Sequence, residues 1–185
     1  MSRYLSPMIE IDHAGFASHA RIITSPNQDD RPEHAAIDMI VIHNISLPPQ
    51  QYGGEGITQL FTNRLNADEH PYYAEIAQLK VSSHFLIRRT GELLQYVSCA
   101  QRAWHAGASQ WQGRERCNDF SVGIELEGCD IEAFEDAQYV TLQALVTALQ
   151  QRYPIQHIVG HADIAPGRKT DPGPFFDWQR LSTNA

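Results

Sequence analysis

Residues 38–43 read DMIVIH, an unbroken apolar run rich in β-branched side chains and closed by a histidine. A run of this kind marks a strand buried on both faces, at the centre of a sheet. His157, Ile158 and Val159 read as the end of a second, short buried strand. Gly160 lets the backbone turn there, so His161 emerges at the C-terminal edge of its strand, where α/β sheets bind ligands. Between these two runs, HFLIRR (84–89) and LLQYVS (93–98) flank Thr90-Gly91-Glu92 and predict a β-hairpin. SVGIELEG (121–128) alternates, with Val122, Ile124 and Leu126 on one face and Gly123, Glu125 and Glu127 on the other. Helical spacing recurs in GITQLFTNRL, through Ile57, Leu60, Phe61 and Leu65. It recurs in DAQYVTLQALVTALQQRY, through Leu142, Leu145, Val146 and Leu149, with Asp136 as the expected N-cap and Pro154 as the stop. The order strand, helix, hairpin, long loop, strand, helix, strand predicts an α/β domain whose mixed central β-sheet is flanked by helices.

The remaining segments carry weaker patterns. Residues 1–37 show no sustained period and predict an irregular N-terminal arm or short helix, residues 66–73 a loop, and FFDWQRL after Pro174 a short terminal helix or cap. A chain of 185 residues with 42% hydrophobic content fits one domain, 1–185, with its core at 38–178 and no need of disulfide or metal staples. A net charge of -8 without a Lys/Arg run argues against nucleic acid or an anionic membrane as partner, and nothing marks an obligate protein partner. Cys99, Cys117 and Cys129 match no zinc-ribbon or CxxC spacing and read as reduced thiols of a cytosolic protein. No basic n-region precedes an apolar stretch near the N-terminus, so a cytoplasmic location is expected. Internal repeats and low-complexity segments are absent.

The chemistry gathers in HIVGHADIAPGRKTDPGP, residues 157–174. Its prolines and glycines forbid regular structure beyond Ala165, and the resulting stiff loop presents His161, Lys169 and Asp171. A lone strand-end histidine is more often a core residue bonded to backbone, but His43 and His161 both close strands, and Asp171 completes a two-histidine, one-carboxylate set. With no sulfur among the ligands, Zn2+ is the best candidate, three protein ligands leaving a fourth position open for hydrolytic chemistry. A carboxylate on the polar face of 121–128 would serve as acid/base, since partial desolvation raises its pKa toward neutrality; periodicity leaves Glu125 and Glu127 both open. His84 reads as a buried hydrogen-bonding residue behind the site. The long loop 103–119 carries Trp104, His105, Trp111, Arg114 and Arg116, and loops of that length in a small domain are commonly functional. For Trp111, anchoring the loop to the core and contacting substrate weigh equally.

IVIHNISLPP, AWHAG followed by QGRERCNDFSVGIELEG, and VGHADIAPGRKTDPGP together resemble the zinc-dependent N-acetylmuramoyl-L-alanine amidases, most specifically the AmpD-type anhydro-muropeptide branch. The likeness spans about residues 38–178. It implies the fold shared with phage amidase-lysozymes and peptidoglycan recognition proteins, His43, His161 and Asp171 as ligands of one zinc, and Glu125 with Lys169 as the catalytic pair. It implies Glu125 in place of Glu127. Many relatives of this fold use cysteine as the third ligand, whereas this chain has Asp171, as the AmpD type does. The implied reaction is cleavage of the amide between N-acetylmuramic acid, or its 1,6-anhydro form, and L-alanine of a muropeptide, in cytoplasmic cell-wall recycling. Asn44, Trp104 and Arg116 are the candidate substrate contacts, Arg116 for a stem-peptide carboxylate. The alternatives are a non-catalytic binder of peptidoglycan fragments and an amidase acting on polymeric murein.

Overall fold

The computed structural model describes residues 8–181. In chain order its strands are β1 (Arg21–Ile22), β2 (Gln28–Asp30), β3 (Met39–Ile45), β4 (Phe85–Ile87), β5 (Leu93–Gln95), β6 (Gln101–Ala103), β7 (Gln110–Trp111), β8 (Arg114–Glu115), β9 (Ser121–Glu127) and β10 (His157–Gly160). The helices are α1 (Gly56–Phe61), α2 (Pro71–Ile76), α3 (Asp136–Arg152) and the single turn α4 (His161–Ile164). Six strands form one mixed sheet in the order β1-β5-β4-β9-β3-β10. β10, β3, β9 and β4 run parallel, and β4–β5 is the antiparallel hairpin expected from its sequence.

Period-2 alternation divides the side chains of this sheet between two layers. Ile40, Ile42, Phe85, Ile87, Val122, Ile124 and Leu126 join Tyr139, Leu142, Leu145 and Leu149 of α3 in the largest cluster. On the other face Met39 and Val41 pack with Ala106, Cys117, Phe120 and Ile164. There too, Leu86 and Leu94 pack with Ile57, Leu60 and Phe61 of α1 and Tyr73 of α2. Leu142, Leu145 and Leu149 are fully buried, and each contributes about 1.5–3 kcal/mol against roughly 1 for a helix cap. Packing on the sheet, more than the cap, therefore holds α3 in place. Its cap is Glu135 and not Asp136: the Glu135 side chain and Gln138 form a capping box one residue earlier.

The weak-pattern segments hold more structure than expected. Within the arm, β1 adds to the sheet edge beside β5, and β2 pairs with β6. Arg31 ties the arm down, its guanidinium donating to the carbonyls of Cys99, Asn118, Asp119 and Ser121. The supposed loop 103–119 contains the β7–β8 hairpin, turned at Gln112 and Gly113 with positive φ at both, and a 3-10 turn at Cys117–Asp119. α2 begins inside the predicted loop 66–73, with Pro71 in its first turn and the His70 ring accepting from the Tyr72 amide. The expected C-terminal helix is a 3-10 turn, Trp178–Leu181. Cys99 and Cys117 are buried free thiols.

Glu127 closes β9 in a buried pair with Arg88, at 3.1 Å, their side chains 2% and 6% exposed. It also accepts from the amides of Gly53 and Arg89. Removing one partner of a buried pair strands the other, a loss of about 3–5 kcal/mol. Glu127→Ala is therefore expected to lower stability by about that amount, read as a shifted midpoint in denaturant titration; an unchanged midpoint would show that Arg88 finds another counter-charge.

Candidate active site

Strand register places the central residues. His43 lies opposite Glu125 in the parallel β3–β9 pair, and β10 pairs with β3 up to Gly160 opposite Ile42. One step later the chain leaves the sheet and His161 opens α4. The 165–174 loop then returns, held where the Asp171 carbonyl accepts from the Ala162 amide at 2.9 Å. Thus His43, Glu125, His161 and Asp171 meet at one sheet edge, although they come from four separate stretches. They stand at the floor of a cleft of about 350 Å³, with Lys169, Asn44 and Trp104 also lining it. Its far wall is apolar, built from Leu60 and Phe61 of α1 and from Tyr72, Ile76, Leu79 and Val81.

His43 Nδ1 is 3.0 Å from His161 Nδ1 and 2.8 Å from Asp171 Oδ2. His161 Nδ1 is 3.1 Å from the same carboxylate oxygen. One donor atom from each residue lies within 4.8 Å of the other two. His161 Nε2 faces the Ala106 carbonyl at 3.1 Å and must donate there, so in the neutral ring the lone pair falls on Nδ1. Two ring nitrogens and a carboxylate oxygen converging on one point suit a divalent cation that takes mixed nitrogen and oxygen ligands. Beside them, Glu125 Oε2 is buried without a hydrogen-bond partner. A polar atom left bare in this way calls for a water, an ion or a substrate group. The set of residues therefore fits zinc.

Electrostatics follow from burial and these contacts. Burial, and then the neighbouring Asp171 charge, hold the Glu125 carboxyl well above its ordinary range, with Lys169 opposing. Burial alone would raise Asp171, but the His161 and His43 rings in contact with it prevail and hold it below the ordinary carboxyl range. His43 is lowered by burial, against the pull of Asp171. His84 is pushed down to about 3 by burial and by Arg31. It sits behind the site as a fully buried ring, accepting from the Gly123 amide at 3.0 Å.

The other candidate residues are placed unequally. Trp104 turns its indole N–H to Asp29 at 3.0 Å while lining the cleft. Asn44 spends its amide hydrogens on Asp130 Oδ1 at 2.7 Å and the Pro172 carbonyl at 3.0 Å. Since Thr170 donates to the other Asp130 oxygen, Asn44, Asp130 and Thr170 clasp the loop on both sides of Asp171. Nothing local in the sequence marks Asp130 or Thr170 for this task. Arg116 is not brought to the cleft. It adopts a left-handed backbone, pairs with Asp119 at 3.4 Å, and borders a separate surface groove with Ser109, Gln110 and Pro166. Trp111 packs on the Met39 cluster, its ring against His157, as an anchor would.

A model of the N-acetylmuramoyl-L-alanine amidase family matches residues 33–174, and the chain belongs to that family. It is 56% identical over 169 residues to the 1,6-anhydro-N-acetylmuramyl-L-alanine amidase AmpD of Escherichia coli (strain K12), covering 90% of this chain and 92% of that one. The fold agrees with a crystal structure of an AmpD selenomethionine derivative at TM-score 0.90 and 55% identity, over 91% of this chain and 96% of the other. A further neighbour is the E. coli amidase AmiD in complex with the substrate anhydro-N-acetylmuramic acid-L-Ala-D-γ-Glu-L-Lys, at TM-score 0.60 and 31% identity, over 95% of this chain and 65% of that one. Among the described residues no helix is long and apolar enough to cross a membrane.

Proposed function

We propose that this chain is a zinc amidase that releases L-alanine-linked stem peptides from 1,6-anhydro-N-acetylmuramic acid, acting on soluble muropeptides in the cytoplasm as part of cell-wall recycling. The observation that carries the reading is the convergence of His43, His161 and Asp171 beside the unpartnered Glu125 oxygen. The names of the relatives supply the bond. His43, His161 and Asp171 would hold the ion, and zinc, when bound, supplies a Lewis acid for the amide carbonyl and acidifies water.

The remaining work falls to the side chains. Glu125 takes a proton from the attacking water and passes it to the departing alanine nitrogen, and its raised proton affinity lets it hold that proton between the two steps. The Lys169 ammonium, on the same cleft wall, faces the negative charge that develops on the carbonyl oxygen, an attraction stronger in the transition state than in the ground state. Asn44 holds the loop, and Trp104 offers a flat surface for the sugar or the backbone near the bond. For Arg116 the proposal is contact with a carboxylate farther along the stem peptide, since its groove lies apart from the reacting centre.

Mass spectrometry of purified anhydro-muropeptide and of intact sacculi, each incubated with the zinc-loaded protein, tests this. The expected result is rapid release of free peptide from the soluble fragment and little from murein. Equal rates on both would remove the recycling role while leaving the amidase; no cleavage of either would leave a fragment-binding protein.

A further inference from the structure

Behind His43 runs a chain of hydrogen bonds whose direction is fixed from its far end. The Ser121 hydroxyl lies 2.6 Å from the Cys117 carbonyl, which can only accept, so the single hydroxyl proton is committed there. Toward His105 Nε2, at 3.2 Å, Ser121 can then only accept, and Nε2 must carry a proton. The His105 ring is buried among the rings of His43 and His84 with no carboxylate of the described residues in contact, so nothing there supports a second proton and its Nδ1 has a lone pair. That lone pair faces His43 Nε2 at 2.9 Å. His43 must donate there, which leaves its own Nδ1 unprotonated, pointing at His161 and Asp171.

The packing keeps His105 from turning out of this role. Its ring lies on the bare backbone of Gly123, where a Cβ would come within 2.5 Å of His105 Cγ. His84 closes the next side, ring centroids 5.7 Å apart, and the Asn118 side chain fixes the His105 backbone amide at 3.1 Å. Ser121 and Gly123 stand on the same face of β9 as Glu125. One strand thus supplies the last hydrogen-bond acceptor, the space for the ring, and the acid/base carboxyl.

We propose that His105 is a positioning residue: through a one-way chain from His43 by way of Ser121 to the Cys117 carbonyl, it holds His43 as the Nε2–H tautomer with Nδ1 free to take a metal ion. The proposal rests on the zinc reading for its purpose, but the tautomers exist without metal or substrate and can be read by themselves. Partners of this kind behind a metal-binding histidine typically change affinity 10–100-fold.

Nitrogen-15 NMR of histidine-labelled, metal-free protein should show both His43 and His105 protonated at Nε2. An Nδ1–H form of either ring as the main species would overturn the proposal. Zinc dissociation constants, measured by competition with a chromophoric chelator, should weaken about 10–100-fold in His105→Leu. His105→Asn, which can present an amide oxygen near the place of Nδ1, should recover most of that loss; a structural filler role would not distinguish oxygen from methyl. A folded His105→Leu variant with unchanged zinc affinity would also overturn it. If that variant fails to fold by circular dichroism, Ser121→Ala decides: a mixture of His105 tautomers supports the chain, and an unchanged spectrum refutes it. Wild-type protein with the expected tautomers but no amidase activity would defeat the proposed function and leave this inference standing.

Discussion

Asp171→Ala is expected to emerge from dialysis with well under one zinc per chain, and with amidase activity reduced in step with the metal lost. The reason lies in the donor count. Among the described residues, Asp171 Oδ2 is the carboxylate oxygen in contact with both His43 Nδ1 and His161 Nδ1, at 2.8 and 3.1 Å. Without it, two imidazoles remain as the donors, with no carboxylate among them to offset a dication. The surrounding fold should survive, because the loop is also held through its backbone and by the Asn44–Asp130–Thr170 clasp. Metal analysis by mass spectrometry, alongside a circular dichroism spectrum, checks both halves. A folded variant retaining one tightly held zinc would show that the ion sits elsewhere.

Glu125→Ala should do the reverse, keeping close to one zinc per chain while hydrolysis falls by roughly 10²–10⁴-fold, the usual contribution of a positioned acid/base group. Glu125 stands beside the three donor atoms and is not one of them. Nor should the variant be less stable. Burial holds the carboxyl well above its ordinary pKa, so in the metal-free protein ionising it disfavours the folded state as pH rises from the unfolded value of about 4.3. Removing the group removes that cost at neutral pH. Loss of zinc or of stability would return Glu125 to the metal set or to the core; retained turnover would end its acid/base role.

The contrast between Glu125 and Glu127 shows where sequence reading stops. Both face one side of the same strand, and a period of two treats them alike. Register separates them, setting Glu125 opposite His43 and Glu127 opposite Ile45, and Arg88 then claims Glu127. No local pattern encodes either event, and only the family resemblance pointed to Glu125. β3 and β10 were legible because burial on both faces leaves a continuous apolar run, whereas β9 showed itself by alternation. His43 and His161 could be read as neighbours because their strands are parallel and adjacent, although His43 does not close its strand as expected: β3 runs on to Ile45. β1 and β2 escaped notice because two or three residues cannot display a period; they exist through partners such as Leu94 and Ala103, far along the chain. α2 is too short for a helical stripe, and the β7–β8 hairpin is set by backbone at Gln112 and Gly113 rather than by apolar residues.

The place of β10 against β3 has a consequence for how the protein is made. His43 leaves the ribosome 128 residues before Asp171, an interval of about 6–25 s at 5–20 residues per second. For most of that time one edge of β3 waits for a strand not yet synthesised, since Met39 to Ile42 pair with His157 to Gly160. Parallel pairings over such distances are slow to close. A nascent chain stopped short of residue 171 therefore holds an incomplete donor set, and zinc cannot nucleate its folding as it does in small zinc fingers. Here the ion would arrive after the sheet, sealing a scaffold that apolar burial has already assembled.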